Sequence, residues 1–108
     1  MAYDEYLPER ISQILNQKKI QFEGKKMFGG IAFMINGKMC VGVVKNELMA
    51  RVGKEKEQEA LEHKGCRPMD FTGRPMKGYV FVEPEGIDQD VDLDYFIELG
   101  LAFNKTLI

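Results

Sequence analysis

The residues best able to do chemistry in this 108-residue chain form an internal echo: Arg67-Pro68-Met69 returns as Arg74-Pro75-Met76, with Asp70, Phe71, Thr72 and Gly73 between the copies. A proline drives the residue before it toward extended geometry. Two guanidinium groups held on such a turn could grip a carboxylate or phosphate through paired N–H donors. The structural alternative is that Arg67 or Arg74 pairs with Asp70 to brace the loop, while Met69 and Met76 plug the core.

A second cluster, Lys25-Lys26-Met27-Phe28-Gly29-Gly30, sets two cations and an aromatic ring beside paired glycines. Flexible backbone amides and positive charge could meet a phosphate or an acidic partner there. The segment is neither a Walker loop nor the spaced-glycine dinucleotide fingerprint, and a bulged strand entry with solvated lysines is the reading it favours. For nucleic acid, Lys25, Lys26, Arg51, Arg67, Arg74 and Lys77 could make one basic face, with Phe28, Phe71 and Tyr79 for stacking. The seven methionines suggest a soft core and one adaptable contact surface.

Other motifs fail as chemistry. The alternating acids of residues 88–94 imitate a calcium loop, but its sixth position is Leu93 and its twelfth Leu99. They read as the solvated start of a helix. His63, the single histidine, falls near the end of a polar helix, where it complements the dipole. Ser12, the single serine, sits mid-helix without a nucleophile elbow. Cys40 and Cys66 lack the Cys-x-x-Cys spacing of redox or zinc sites and read as reduced, largely buried thiols. No catalytic residue, metal site or cofactor is expected, and the chain reads as non-enzymatic.

The elements that must position these residues follow from hydrophobic period and turn chemistry. Residues 4–17 place Leu7, Ile11, Ile14 and Leu15 on one helical face, with Asp4 able to cap the first turn. Residues 18–24 form a polar connection. In the β-rich centre, Asn36-Gly37 accepts the positive φ angles of a type I′ turn and should pair 31–35 with 38–44. Lys45-Asn46 turns the chain into a third strand, 47–52. A charged surface helix over 54–63 ends at Gly65, residues 66–77 are extended and turn-rich, and 78–82 is a strand. Residues 92–107 form the best helix, with Leu93, Phe96, Ile97, Gly100, Leu101, Phe103 and Leu107 on a broad apolar stripe.

Composition agrees with one folded domain: hydrophobic residues make up 44% and charged residues 30%. No apolar run has the roughly 20 residues of a membrane helix, and the first nine residues do not read as a leader. A cytoplasmic protein without a membrane contact is expected. Residues 1–82 hold 14 of the 15 basic residues against 10 acids, whereas residues 83–98 hold seven acids and no base.

Taken together, the Lys25–Met34 run, the Asn36-Gly37 hairpin, Arg51-Val52-Gly53 and the Arg67–Gly78 run resemble the N-terminal domain of the TfoX/Sxy competence regulators. The opening Met1–Glu5 and Gly100-Leu101-Ala102-Phe103 are similar too, so the resemblance spans nearly the whole chain. It implies an α+β, two-layer fold with helices packed on an antiparallel sheet, in the order α-β-β-β-α-β-β-α, resembling secretion-chaperone-like folds. Family regulators act on natural-competence genes with the cAMP receptor protein and carry a further C-terminal helical domain. This chain stops at Ile108, before any such domain, so a stand-alone form is expected. The resemblance brings no established catalytic residues.

The reading that results is a regulatory, protein-interaction module linked to transcriptional control, with an unidentified protein partner and no assigned oligomeric state. Its candidate interaction residues are Lys25, Lys26, Phe28, Gly29, Gly30, Arg51, Arg67, Asp70, Arg74 and Lys77. The alternative is weak nucleic-acid binding through a basic face; a small-anion-binding protein or enzyme ranks behind both.

Overall fold

The computed structural model describes residues 6–27, 30–71 and 74–107, and for residues 27, 69–71 and 74–76 it describes the backbone. The elements are α1 (Tyr6–Gln17), β1 (Glu23–Met27), β2 (Gly30–Ile35), β3 (Lys38–Val44), β4 (Glu47–Arg51), α2 (Lys54–Leu61), β5 (Cys66–Phe71), β6 (Arg74–Val82) and α3 (Asp90–Lys105). A single turn of 3-10 helix, Pro84–Gly86, links β6 toward α3. The strands form one antiparallel sheet of order β1-β2-β3-β4-β6-β5.

The α+β class and the two-layer architecture are those expected, with one addition: four strands precede α2 instead of three. The extra strand is β1, within a stretch that looks like a polar connection. Glu23, Gly24, Lys25 and Lys26 are all exposed, so no apolar alternation marks them. An edge strand needs none, because backbone pairing to β2 holds it and lysines discourage a further strand from adding. Nor is the preceding connection wholly polar. Ile20 and Phe22 pack against the core, with the Phe22 and Phe33 ring centroids 5.5 Å apart.

The central hairpin forms as the turn chemistry predicts. Asn36 and Gly37 have φ of 55° and 78°, the mirror-image turn that matches strand twist. Below it, Phe33 pairs with Val41 but Met34 pairs with Met39, which leaves Cys40 as the extra residue of a bulge. Cys40 and Val41 consequently both face the helices. The third helix crosses β3 so closely that a Cβ on Gly100 would lie 3.0 Å from the Cys40 sulfur.

One face of the sheet supplies Phe33, Val41, Leu48, Ala50, Val80 and Val82 to the main core, and all three helices pack on it. From α3, Leu93, Phe96 and Ile97 are fully buried, each contributing about 2 kcal/mol of hydrophobic stabilisation. The acids of 83–98 meet cations in and just after α1: Arg10 bonds Asp90 at 3.0 Å, and Lys18 reaches Asp94 at 2.8 Å and also Glu98. Asn104, the buried polar side chain of this core, donates to the Ile35 carbonyl at 3.0 Å. It thereby ties the end of α3 to the hairpin.

Candidate functional site

The opposite, outer face of the sheet carries a second apolar cluster, to which no described helix residue belongs. Met49 and Phe81 are buried at its centre, with Met39, Val44 and Tyr79 half-buried around them. Register explains the grouping, since Met49 pairs with Phe81 and Arg51 with Tyr79 across β4 and β6. On the far side of Phe81, Arg67 of β5 pairs with it and lies over its ring at 4.9 Å. One terminal nitrogen of Arg67 donates to both oxygens of Glu47, each at 2.8 Å.

At the other end of β4 the sheet opens into a cavity of about 570 Å³ between β4, β6, the first turn of α2 and the last turns of α3. Two glycines shape it. Gly53 has φ 86° and ψ 155°, and a Cβ there would stand 2.4 Å from Phe103. Gly78, also at φ 86°, kinks β6 so that its carbonyl accepts the amides of both Val52 and Gly53, at 2.8 and 3.0 Å. The Gly78 amide in turn donates to the Glu57 carboxylate.

Around this cavity stand four cations, Arg51, Lys54, Lys56 and Lys77, and one carboxylate, Glu55. The Arg51 guanidinium lies 5.5 Å from the Tyr79 ring centroid and 5.3 Å from that of Phe103. Lys56 comes within 3.8 Å of Glu59. Among the described residues, Arg51, Lys54 and Lys77 have no ion pair or hydrogen bond from their side chains.

A family model, the TfoX N-terminal domain, matches residues 16–104. The chain belongs to that family. No curated protein and no solved structure matches it. The matched span contains every strand, α2, nearly all of α3 and every lining residue of the cavity except Thr106.

The TfoX N-terminal domain brings only some of its sequence-predicted site residues together. Arg51 and Lys77 meet at the cavity. Lys25 and Lys26 lie on β1, three strands from β4 in the sheet order, or about 14 Å at normal strand spacing. Gly30 has a packing role: a Cβ there would fall 1.8 Å from the Val43 carbonyl oxygen, so the close approach of β3 accounts for it. Arg67 of β5 pairs with Glu47 of β4, across the intervening β6, and the brace expected between Arg67 or Arg74 and Asp70 lies outside the described residues. Phe28 and Gly29 lie outside the described residues, as do the side chains of Asp70 and Arg74 and with them the anion clamp on the Arg-Pro-Met echo. Met69 and Met76 as core plugs, Phe71 as a stacking ring and Asp4 as a helix cap fall there too.

Two contributors to the cavity, Phe103 and Lys54, carry no separate signal in the sequence. Phe103 sits on the apolar stripe of the last helix, and Lys54 reads as surface charge. His63 follows α2, and its ring packs where dipole complementation alone was expected. It stacks on Tyr95 with centroids 4.1 Å apart and meets Phe96 edge-on at 5.5 Å.

The titrating groups behave as packing and bracing would have it. Burial pushes the Cys40 thiol up to about 12. Cys66 rises to about 11, through burial first and the Glu57 charge second. Both thiols are free. Tyr95 rises to about 12 through burial, reinforced by the bond its hydroxyl donates to Glu59 at 2.7 Å. Glu59 is lowered, chiefly by that same hydroxyl and then by Lys56. Among the described residues no group of histidine, cysteine, aspartate and glutamate is arranged to hold a metal ion, and no helix is long and apolar enough to cross a membrane.

Proposed function

We propose that this domain is a non-enzymatic regulatory module that holds a partner protein against the outer face of its sheet, in the transcriptional control with which its family is associated. The observation that carries the reading is the second cluster: Met39, Val44 and Tyr79 half-buried around Met49 and Phe81, on a face that contributes nothing to the helix-side core. Methionine and valine side chains there form a soft apolar patch that can repack against a partner. Arg51 and Arg67 border the patch, and arginine and tyrosine are the residue types that anchor protein interfaces.

The test is a host strain carrying Val44→Glu, compared with a deletion strain and the wild type by transcript profiling, with folding of the purified variant checked by circular dichroism. The variant is expected to reproduce the deletion profile. A wild-type profile from a stably expressed Val44→Glu protein removes the outer face as the contact. The alternative of weak nucleic-acid binding has less support, because Lys25 and Lys26 lie across the sheet from Arg51, and Arg67 is already paired.

A further inference from the structure

The cavity beside Arg51 differs in kind from the outer face, and the partner reading does not use it. Its volume, about 570 Å³, falls inside the range of roughly 300 to 1,000 Å³ in which proteins enclose small molecules. Leu99, Phe103 and Val52 give it apolar walls, as such sites usually have. Four cations and one carboxylate, Glu55, line it, while the Glu57 carboxylate holds the Gly78 amide and Glu59 lies beside Lys56.

Arg51 defines what could lie there. Two aromatic rings, Tyr79 and Phe103, lie against its guanidinium group, with centroids 5.5 and 5.3 Å away. A guanidinium in contact with aromatic rings still presents N–H donors along its edges, in the fork that suits a carboxylate or phosphate. The rings also fix its orientation beforehand, so less side-chain entropy is lost when an anion arrives. No described residue supplies that anion. Lys54 of α2 and Lys77 of β6, which also line the cavity, likewise have no ion-pair partner among the described residues.

We infer that this cavity is a binding site for a small organic anion with a flat unsaturated body, the body lying against Phe103 and Leu99 and its carboxylate or phosphate held by Arg51, Lys54 and Lys77. Arg51 and Tyr79 stand where the cavity meets the border of the outer face.

The experiment is a titration of the full chain, followed by amide chemical shifts, with salicylate and adenosine monophosphate as the two anionic probes. Salicylamide and adenosine serve as their uncharged counterparts. Saturable shifts are expected at residues 51–56, 77–79 and 99–106, with each bound anion at least about tenfold tighter than its neutral counterpart. A response to salicylate alone assigns a carboxylate ligand, and a response to adenosine monophosphate alone assigns a phosphate ester. Arg51→Met is expected to weaken binding about tenfold, and Lys77→Met, an exposed residue, about threefold. Should Arg51→Met fail to fold, the Lys77→Met variant and the charged-against-neutral comparison on the wild type still decide. Equal binding of charged and neutral probes, shifts centred on α1 or β1, or no saturable shift from either anion overturns the inference. None of these results touches the outer-face contact, which Val44→Glu tests separately.

Discussion

Arg51 and Arg67 occupy the two ends of one sheet face and are built alike up to a point. Each guanidinium lies over aromatic rings, Arg67 at 4.9 Å from Phe81 and Arg51 at 5.5 and 5.3 Å from Tyr79 and Phe103. Arg67 then meets Glu47 at 2.8 Å, in a hollow that also holds Glu83 and Glu85. Arg51 meets no carboxylate among the described residues and opens onto a cavity lined by lysines. The lesson is that an arginine on a sheet becomes a brace or a free donor according to which residue the order of the strands brings into reach. Its own sequence surroundings do not settle the matter.

The largest expected effect is one that should spare both arginines. Raising pH from 8 to 12 leaves arginine charged but deprotonates groups whose folded values stand above their ordinary ones: Cys40 at about 12, Cys66 at about 11, Tyr95 at about 12, and Lys18, which is raised by its bonds to Asp94 and Glu98. A raised folded value means that the folded chain holds its proton longer than the unfolded one. The associated stability is therefore complete below the unfolded value and is lost as pH climbs through the folded value. For Cys40, moving from 9.0 to about 12, the loss approaches about 4 kcal/mol by pH 12. Urea midpoints should fall steadily above pH 9, and Cys40→Ala should flatten the fall. A wild-type midpoint that stays level to pH 11 contradicts the burial of these thiols.

Next in size is Gly53→Ala, which should damage the Arg51 end alone. The backbone there, at φ 86° and ψ 155°, is a region that side-chain-bearing residues avoid, and the new Cβ would press on Phe103 at 2.4 Å. Together these predict a loss of about 3 kcal/mol in chemical denaturation. Amide shifts around Glu47 and Arg67 should meanwhile stay in place. A loss under about 1 kcal/mol would mean that the cavity wall is slack.

What could be read from the sequence divides along the same line as the two arginines. Local signals carried well: the Asn36-Gly37 turn forms the hairpin, the stripe from Leu93 to Leu107 marks α3, and the charged run after Gly53 becomes a helix with only Ala60 fully buried. Edge strand β1 escaped because an exposed strand held by backbone pairing needs no apolar pattern. The site was only half legible for a different reason. Placing β4 beside β6 brings Glu47 to Arg67 and Tyr79 to Arg51, and no period or turn residue in one sequence announces which distant strands become neighbours. Arg51 and Lys77 drew notice by charge, while Phe103 has the same apolar spacing as true core residues and differs only by facing a cavity.

The Arg67–Glu47 pair allows a direct measure of bracing. In a double-mutant cycle with Arg67→Met and Glu47→Gln, the coupling should be about 1 kcal/mol at low salt and less at high salt. The value is modest because Arg67 keeps 44% of its side-chain surface in solvent, although Glu47 keeps only 18%. A coupling of zero would make the pair a surface accident and erase the contrast between the two ends.

The smallest expected effect is the most telling for the free end. Arg51→Met removes a charge that no described carboxylate answers, so nothing is left unpaired, and methionine can retain contact with Tyr79 and Phe103 through its sulfur and methyl. Stability should therefore change by no more than about 0.5 kcal/mol in urea unfolding at neutral pH. Arg67→Met, which strands Glu47, should lose more. If Arg51→Met proves the costlier of the two, Arg51 braces the junction of β4, α2 and α3, and its unpaired edge has a structural cause instead of a ligand's. If it is nearly silent, the fold does not need a cation beside Tyr79 and Phe103 at this cavity, and the reason for its place there is what the cavity receives.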